Sequence, residues 1–164
     1  MCGALVQSRE DAVWAALDGV PDPEIPVLSL RDLGIVRGVR ATERGTEVLL
    51  TPTYSGCPAT EVIAASVRES LDAAGLGPTT VTQQLSPPWT TDWITPEGRR
   101  KLREYGIAPP GAASEVVRIR PRGIECPRCG SANTERLSAF GATACKALHR
   151  CLDCREPFEH FKPL

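Results

Sequence analysis

Cysteines are the residues of this 164-residue chain with the most evident capacity for chemistry, and there are seven of them. Four form two C-x-x-C pairs, Cys126/Cys129 and Cys151/Cys154, which are separated by 21 residues. This spacing is typical of a four-cysteine metal site, in which two tight turns direct four thiolates at one ion. Gly130 follows the first pair and can supply the positive φ that such a turn often needs. We therefore predict a structural metal held by these four cysteines, zinc by default, although four sulfur ligands also suit iron.

The surroundings of the two pairs predict a zinc ribbon. Strand-like segments at residues 134–140 and 146–150 would form its hairpin. A segment this small cannot build an adequate apolar core, so metal binding would supply much of its folding free energy. Cys145, His149 and His160 lie nearby, and each is expected to pack or to lie at the surface rather than to bind the metal. Cys145 is the best alternative ligand, as a fifth thiol.

Cys57 is isolated from the other thiols and directly precedes Pro58 and an apolar pattern of helical period. Because proline is tolerated at the first helical position, we predict Cys57 at the N-cap. There the helix dipole and the free N–H groups would stabilise a thiolate, which could bind a soft metal, handle a cluster or act as a nucleophile. The alternative is a small buried side chain. A thiol protease is disfavoured because both histidines lie in the metal-binding tail.

Two carboxylates, Asp22 and Glu24, flank Pro23 in a proline-rich segment that must be extended. They could serve a metal, although helix capping by Asp22 or plain solvation explains them equally well. Asp32 is expected to be a turn residue. The sequence contains no phosphate-binding glycine loop, no nucleophile elbow and no dinucleotide fingerprint.

The elements that must position these residues alternate between helix and strand. The patterns predict a helix after Ser8, strands over residues 34–39 and 47–50, a helix from Pro58 to Gly75, a strand over 81–85 and a helix from Thr95 to Gly106. Hairpin-type connections favour an α+β fold over a doubly wound sheet. We predict a small two-layer domain with a short mixed or antiparallel sheet, followed by a small zinc-ribbon-like module.

Charge divides the chain unevenly. Residues 1–115 carry 10 basic and 15 acidic side chains, whereas residues 116–164 carry 9 and 5. Between them, residues 107–114 are small and turn-forming, which indicates a linker. The predicted domains are therefore an assembly-type domain over residues 1–106, a linker over 107–123 and a four-cysteine module over 124–164.

Composition excludes several classes of protein. A hydrophobic content of 41% is enough for a packed core, and no apolar run approaches the roughly 20 residues of a membrane helix. The net charge of −1 and the lack of a basic, aromatic-rich patch argue against a nucleic-acid partner. The first residues lack the features of a secretory signal, and an odd number of cysteines disfavours a disulfide framework. We expect a cytoplasmic protein with no membrane partner.

Several segments resemble a known family. Asp22-Pro-Glu-Ile-Pro26, Asp32-Leu-Gly34 and Thr53-Tyr-Ser-Gly-Cys57-Pro58 resemble the SufT-like domain of iron–sulfur assembly proteins. Segments 86–94, 98–110 and 140–151 are similar to one subgroup, the D subunit associated with the multicomponent phenylacetyl-CoA 1,2-epoxidase of aerobic phenylacetate degradation. The resemblance extends over nearly the whole chain.

The resemblance implies an accessory, non-catalytic role in the maturation of the epoxidase. Its partner would be the di-iron oxygenase or the iron–sulfur reductase component, and a homodimer is one option. Cys57 would handle a transient iron ion or iron–sulfur cluster, and Asp22 and Glu24 would line the same surface. Two other functions stay open: a stable structural subunit of the oxygenase, and a redox or thiol-transfer enzyme.

Overall fold

The computed structural model describes residues 2–111 and 123–164, with side chains from residue 9 onward. The chain divides into two compact units, one ending at Trp89 and one spanning Thr90–Leu164. The first contains α1 (Cys2–Asp18), β1 (Val36–Thr42), β2 (Gly45–Leu50), α2 (Thr60–Ala73) and β3 (Thr79–Gln83). The second contains a short 3-10 helix (Thr91–Trp93), α3 (Pro96–Tyr105), β4 (Ile107–Ala108), β5 (Thr134–Ser138), β6 (Lys146–Cys151) and β7 (Pro157–Phe161). Most of the predicted linker, residues 112–122, lies outside the described residues.

The first unit is a two-layer α+β structure with a mixed three-stranded sheet, as predicted. Its strand order is β1-β2-β3. β1 and β2 form an antiparallel hairpin, whereas β2 and β3 are parallel and are joined through α2. The helix layer is formed by α1, which packs against β1, and α2, which packs against β3 and α1. The α+β fold class is confirmed.

Apolar side chains from both layers fill the core of this unit. They include Val13 and Leu17 of α1, Val67 and Leu71 of α2, and Val48 and Leu50 of β2, all at most 1% exposed. Full burial of one such side chain contributes about 1.5–3 kcal/mol. The first unit therefore owes its stability to a conventional apolar core.

Helix α1 begins earlier than the sequence indicated. Ser8 was expected to cap its first turn, but α1 already begins at Cys2 and Ser8 lies inside it. The preceding residues Ala4, Leu5 and Gln7 have high helix propensity and extend the helix past the apparent cap. The end of α1 at Asp18 agrees with the prediction.

Trp89 joins the segment 86–94 to the segment 32–34 by a hydrogen bond. Its ring is 5% exposed, and its indole Nε1 donates a hydrogen bond of 2.9 Å to the carbonyl oxygen of Leu33. Leu33 lies between Asp32 and Gly34, in a turn closed by the amide of Leu33 and the carbonyl of Ser29 at 3.2 Å. The two segments therefore contact each other in the first unit.

The second unit contains a four-stranded sheet of order β4-β7-β6-β5. The predicted hairpin is confirmed as the antiparallel pair β5–β6, but β7 and β4 were not predicted. Ile107 and Ala108, which composition had assigned to the linker, instead pair in parallel with Glu159 and His160 of β7. Local composition fails here because the pairing partner lies about 50 residues away in the chain. The other domain boundaries stay predictions.

Helix α3 has the ends that the sequence indicated. The hydroxyl oxygen of Thr95 accepts a hydrogen bond of 2.9 Å from the amide of Gly98, Pro96 opens the helix, and Gly106 follows its last residue. Leu102, on the inner face of α3, is fully buried. None of the helices formed by the described residues is long and apolar enough to cross a lipid bilayer.

Two buried histidines pack between β6 and β7. The rings of His149 and His160 meet edge to face at 5.5 Å, and His149 also stacks on Phe158 at 5.7 Å. Burial, followed by the charge of His149, lowers the pKa of His160 to about 4. Burial, followed by the charge of Arg136, also lowers the pKa of His149. Both rings are therefore neutral packing groups at pH 7, in agreement with the expectation from the sequence.

The Trp89 contact predicts the effect of one substitution. Trp89→Phe removes the donor to the Leu33 carbonyl and should lower the free energy of unfolding by about 1–3 kcal/mol. Urea denaturation followed by circular dichroism measures this. The matched control is Trp14→Phe, because Trp14 is half-exposed beneath the guanidinium of Arg31 and should cost less than about 1 kcal/mol. Equal losses for the two variants would contradict the role assigned to the hydrogen bond.

The neutral His160 predicts a pH dependence of stability. The unfolded chain binds a proton at this residue near pH 6.5, but the folded protein does so only near pH 4. Above pH 6.5 the ring is neutral in both states, and His160 does not affect the pH dependence of stability. As the pH falls towards 4, protonation of His160 in the unfolded chain lowers the free energy of unfolding, by at most about 3 kcal/mol. Comparison of wild type with His160→Leu between pH 7.5 and 4.5 isolates this effect from metal loss, which both proteins share. A constant difference across that range would refute it.

Candidate functional site: a four-cysteine centre and a separate thiol

The four cysteines of the C-x-x-C pairs converge on one point in the second unit. The sulfur atoms of Cys126 and Cys154 lie 3.8 Å apart, those of Cys129 and Cys151 lie 3.6 Å apart, and all four lie within 4.8 Å of one another. Four thiolates bound tetrahedrally to zinc at about 2.3 Å would be separated by roughly 3.8 Å. The donor set and its geometry therefore fit a tetrahedral metal ion, and these four side chains form a metal-binding group.

The two metal-binding turns share one backbone arrangement. The amide of Cys126 donates to the carbonyl of Ser131 at 2.9 Å, and the amide of Cys151 donates to the carbonyl of Glu156 at 3.0 Å. In both turns the donor is the first cysteine and the acceptor lies five residues later. This common closure directs both thiols of each pair to the same side.

The residue after each second cysteine has a positive φ. Gly130 has a φ of 76°, which confirms the role expected for a glycine there. Arg155 occupies the equivalent position of the second turn with a φ of 62°, and it is the one non-glycine residue with positive φ among those described. For a non-glycine residue, a positive φ costs about 1 kcal/mol of conformational energy. The metal-binding turn imposes this backbone despite the cost.

Asp153 links the two turns to each other. Its carboxylate accepts hydrogen bonds from the hydroxyl of Ser131 and from Nδ2 of Asn133, the latter at 2.7 Å. The amide of Leu152 also donates to the carbonyl of Asn133 at 2.8 Å. The hydrogen bonds from Ser131 and then Asn133 lower the pKa of Asp153, which is therefore charged at pH 7. These hydrogen bonds hold the two metal-binding turns together.

Sequence reasoning did not find Asp153 as a supporting residue. The one available signal was an acidic residue between the cysteines of the second pair. Its partners lie 20 and 22 residues away in the chain, so the contact follows from the pairing of the two turns and has no local pattern.

The pKa values of two thiols of the site are shifted in opposite directions. Hydrogen bonds from the backbone amides of Cys154 and Asp153, with contributions from neighbouring thiols, lower the pKa of Cys151 to about 7. The amide of Glu156 favours the thiolate of Cys154, but burial and the adjacent thiols outweigh it and raise that pKa to about 12. Four adjacent sulfurs cannot all be ionised without a neutralising cation, so metal binding must release protons.

Cys145 is not part of the metal-binding group. It is 4% exposed, and its sulfur lies 3.1 Å from the hydroxyl oxygen of Thr143. Among the side chains that the structure describes, the four cysteines are the one set of three or more cysteine, histidine or acidic residues whose ligand atoms all lie within 4.8 Å. Neither Cys145 nor the two buried histidines join them.

Cys57 lies before α2 but is not its N-cap. Ala59 is the N-cap residue, without a side-chain hydrogen bond, and α2 begins at Thr60. The carbonyl of Cys57 instead accepts hydrogen bonds from the amide and the hydroxyl of Thr60, at 3.2 and 2.7 Å. The predicted cap is therefore wrong, because Pro58 and Ala59 form a turn ahead of the helix. The helix dipole acts on this thiol from a greater distance than the sequence suggested.

The surroundings of Cys57 leave the residue partly exposed. The side chain is half-buried, and the two residues before it, Ser55 and Gly56, are exposed. The amide of Cys57 is held by the carbonyl of Tyr54 at 3.3 Å. Cys57 is therefore not sealed in the core, and its role stays a prediction.

The two acids of the proline-rich segment have different surroundings. Asp22 is 6% exposed, and its Oδ1 accepts hydrogen bonds from the amides of Glu24 and Ile25 at 3.0 and 2.8 Å. Asp22 thus closes a turn that no helix follows, so the expected helix cap is wrong. The side chain of Glu24 is half-buried. These two acids and Cys57 do not form a compact three-ligand group in the described structure.

Removal of one ligand tests the assignment of the four-cysteine centre. Cys129→Ser should abolish stoichiometric metal binding and unfold the ribbon sheet, because a small module depends on the ion for its folding free energy. Cys145→Ser is the matched control and should retain one equivalent of metal. Metal content by inductively coupled plasma mass spectrometry, with circular dichroism, reads both effects. Metal retained by Cys129→Ser but lost from Cys145→Ser would place Cys145 in the site instead.

Two family profiles match separate parts of the chain. The family described as "Iron-sulfur cluster assembly protein" matches residues 10–82, which include Cys57. The family described as "PaaD zinc beta ribbon domain" matches residues 111–162, which include all four cysteines of the metal-binding group. The two matches correspond to the sheet and helices of the first unit and to the metal-binding turns of the second.

Individual proteins similar to this chain support the match to the assembly-protein family. A Bacillus subtilis (strain 168) protein, "Fe-S protein maturation auxiliary factor YitW", is 34% identical over 52% of this chain and 85% of its own length. A crystal structure from Bacillus anthracis, described as a domain of unknown function DUF59, is 25% identical with a TM-score of 0.57, and covers 61% of this chain and 96% of its own. The chain therefore shares a fold with this solved domain.

One relative matches almost the entire chain. It is an Escherichia coli (strain K12) protein, named as the D subunit of a "Putative 1,2-phenylacetyl-CoA epoxidase". The two proteins are 53% identical over 150 residues, which are 92% of this chain and 90% of the relative. An alignment of that length includes residues of both the assembly-type unit and the ribbon. The chain therefore belongs to the family of the phenylacetyl-CoA epoxidase D subunit.

Proposed function

We propose that this protein is a non-catalytic accessory factor that assists iron or iron–sulfur maturation of the phenylacetyl-CoA epoxidase. The observation that carries the proposal is the union, in one chain, of an iron–sulfur assembly-type unit with a partly exposed Cys57 and a four-cysteine ribbon. The relatives that match the first unit are named as maturation auxiliary factors, and the relative that matches both units is named as a subunit of the epoxidase.

Cys57 would handle the metal cargo. One thiolate cannot hold an iron–sulfur cluster tightly, because such clusters take about four protein ligands. A half-buried thiol with exposed neighbours can instead share a cluster or an iron ion with a second chain or a small-molecule ligand. Transfer is then an exchange of ligands in which one iron–sulfur bond forms as another breaks, with no change of oxidation state.

Asp22 and Glu24 would line the surface over which the cargo passes. Since Asp22 is already engaged by two backbone amides, its part is to shape the turn that presents Glu24. Glu24 is the acid with the greater exposure and could offer a carboxylate to iron. Both roles are secondary to that of the thiol.

The four-cysteine centre would carry a structural zinc ion. Its ligands are supplied entirely by the protein, which leaves no open position for a substrate, and such closed sites are structural. Zinc bound there would supply folding free energy for the second unit, and the same four sulfurs could accept iron when the protein is produced in iron-rich medium. Catalysis of the epoxidation is not assigned to this chain.

The partner would be the di-iron oxygenase or the iron–sulfur reductase component of the epoxidase, in the cytoplasm. A reducing compartment keeps Cys57 and the four ligands available as thiols. Self-association into a homodimer is one way to provide a second Cys57 thiol for a shared cluster. Nothing in this role requires a nucleic acid or a membrane.

A stable structural subunit of the oxygenase is the second candidate. It is favoured by the name of the relative that matches almost the whole chain, which calls that protein a subunit. Co-purification with the catalytic subunits at a fixed stoichiometry, unchanged by Cys57→Ser, would support this interpretation over the maturation factor.

Substitution of Cys57 tests the proposal. Cys57→Ser should leave the fold and one equivalent of zinc intact, because the residue lies outside the metal-binding group. Iron content and activity of the epoxidase isolated from the same cells should fall several-fold, since the cargo thiol is lost. Both proteins are purified without air, and metals are measured in each.

The control is Ser55→Ala, a change in the same exposed turn that leaves the thiol in place. It should support full metal loading of the epoxidase. Full loading with Cys57→Ser as well would discard Cys57 as a carrier. Loss of zinc from the Cys57→Ser protein would instead show that the thiol is structural.

A further inference from the structure

The loop between β5 and β6 exposes an aromatic side chain that belongs neither to the metal-binding group nor to the surroundings of Cys57. We call residues 139–145 the Phe140 loop. Phe140 is 64% exposed, the highest value among the large hydrophobic side chains that the structure describes. The loop lies at the end of the hairpin, beyond the register that pairs Ser138 with Leu148.

The Phe140 loop is held by specific hydrogen bonds. The amide of Phe140 donates to the hydroxyl of Ser138 at 3.2 Å, and the amide of Gly141 donates to the carbonyl of Lys146 at 2.8 Å. The amide of Ala142 donates to Oε1 of Glu159 at 2.7 Å. Three successive amides are thus satisfied within the protein, and the exposed ring is carried by an ordered backbone.

A largely buried ion pair supports the loop from below. Nζ of Lys146 lies 2.6 Å from Oε2 of Glu159, and the side chain of Lys146 is only 5% exposed. Such a pair contributes little to stability relative to apolar residues, but it can specify one local arrangement. Here it orients the carboxylate that accepts from Ala142. A Cβ at Gly141 would lie 2.5 Å from Oε1 of Glu159, so a larger residue there would displace this carboxylate.

The charge beside the exposed ring is positive. The ammonium group of Lys162 lies 4.5 Å from the centroid of the Phe140 ring and also donates to the carbonyl of Ala139 at 3.2 Å. The carboxylate of Glu159 beneath the loop is already neutralised by Lys146. An apolar pocket on a partner would accept the Phe140 ring, and carboxylates around that pocket would complement the charge of Lys162.

We propose that Phe140 is the anchor by which this protein docks on a component of the epoxidase, in an apolar pocket rimmed by carboxylates. The identity of that partner rests on the proposed function. An aromatic residue that is already oriented loses little conformational entropy on binding, and such residues dominate the energetics of protein interfaces. The docking anchor lies in the ribbon unit, whereas the cargo thiol Cys57 lies in the assembly-type unit.

Phe140→Ala tests the docking anchor. The probe is the epoxidase oxygenase–reductase mixture purified from cells that lack this protein and immobilised for biolayer interferometry. Phe140→Ala should weaken binding at least about tenfold, as truncation of an aromatic hot spot does. Tyr105→Ala is the matched control, because Tyr105 is another exposed aromatic residue of the same unit, and it should bind as the wild type does. Lys162→Gln should weaken binding less and should reduce its sensitivity to salt.

The outcomes separate this inference from the maturation role. Cys57→Ser should bind the immobilised components normally, even though it fails to load them, whereas Phe140→Ala should fail in binding with its thiol intact. Equal binding by Phe140→Ala and the wild type would overturn the anchor, and so would an absence of wild-type binding. A change from dimer to monomer in Phe140→Ala, with unchanged epoxidase binding, would reassign the ring to self-association. An unchanged melting temperature and zinc content in Phe140→Ala show that the fold is retained.

Discussion

The mutual repulsion of four adjacent thiolates is the constraint on which the second unit depends. Sulfur atoms within 4.8 Å of one another cannot all be ionised unless a cation lies between them. The ion and the fold of the turns therefore support each other: the shared backbone closure brings the sulfurs together, and the ion relieves their repulsion. Asp153 joins the two turns on the outside of the same centre, and the unusual backbone of Arg155 is tolerated because the turn requires it.

The two units are stabilised in different ways. The first unit has a continuous apolar core between two helices and a mixed sheet, and Cys57 lies half-buried ahead of α2. The second combines a metal centre, a buried ion pair and a pair of packed histidines around a small sheet. Its four ligand cysteines converge on one point, and its Phe140 loop is exposed.

Much of the fold could be predicted from local patterns. The ends of α3, the β1–β2 hairpin and the β5–β6 hairpin follow from caps, turns and alternation within a few residues. The start of α1 and the cap of α2 were misplaced, because high helix propensity continued past Ser8 and because Pro58 began a turn instead of the helix. Strand β4 escaped prediction because a two-residue strand has no period and its partner is distant in the chain. Strand β7, which pairs with the neighbouring β6, was also missed.

The sequence by itself determined the metal centre, since ligand type and C-x-x-C spacing are local properties of the chain and a tight turn can be satisfied in only a few ways. It also indicated Cys57 as a separate thiol. Only the tertiary structure decided what surrounds these residues: the carboxylate of Asp153 across the two turns, the engagement of Asp22 by backbone amides, and the ordered loop that carries Phe140. Those contacts join residues far apart in sequence, and they exist only once strand pairing has brought their backbones together.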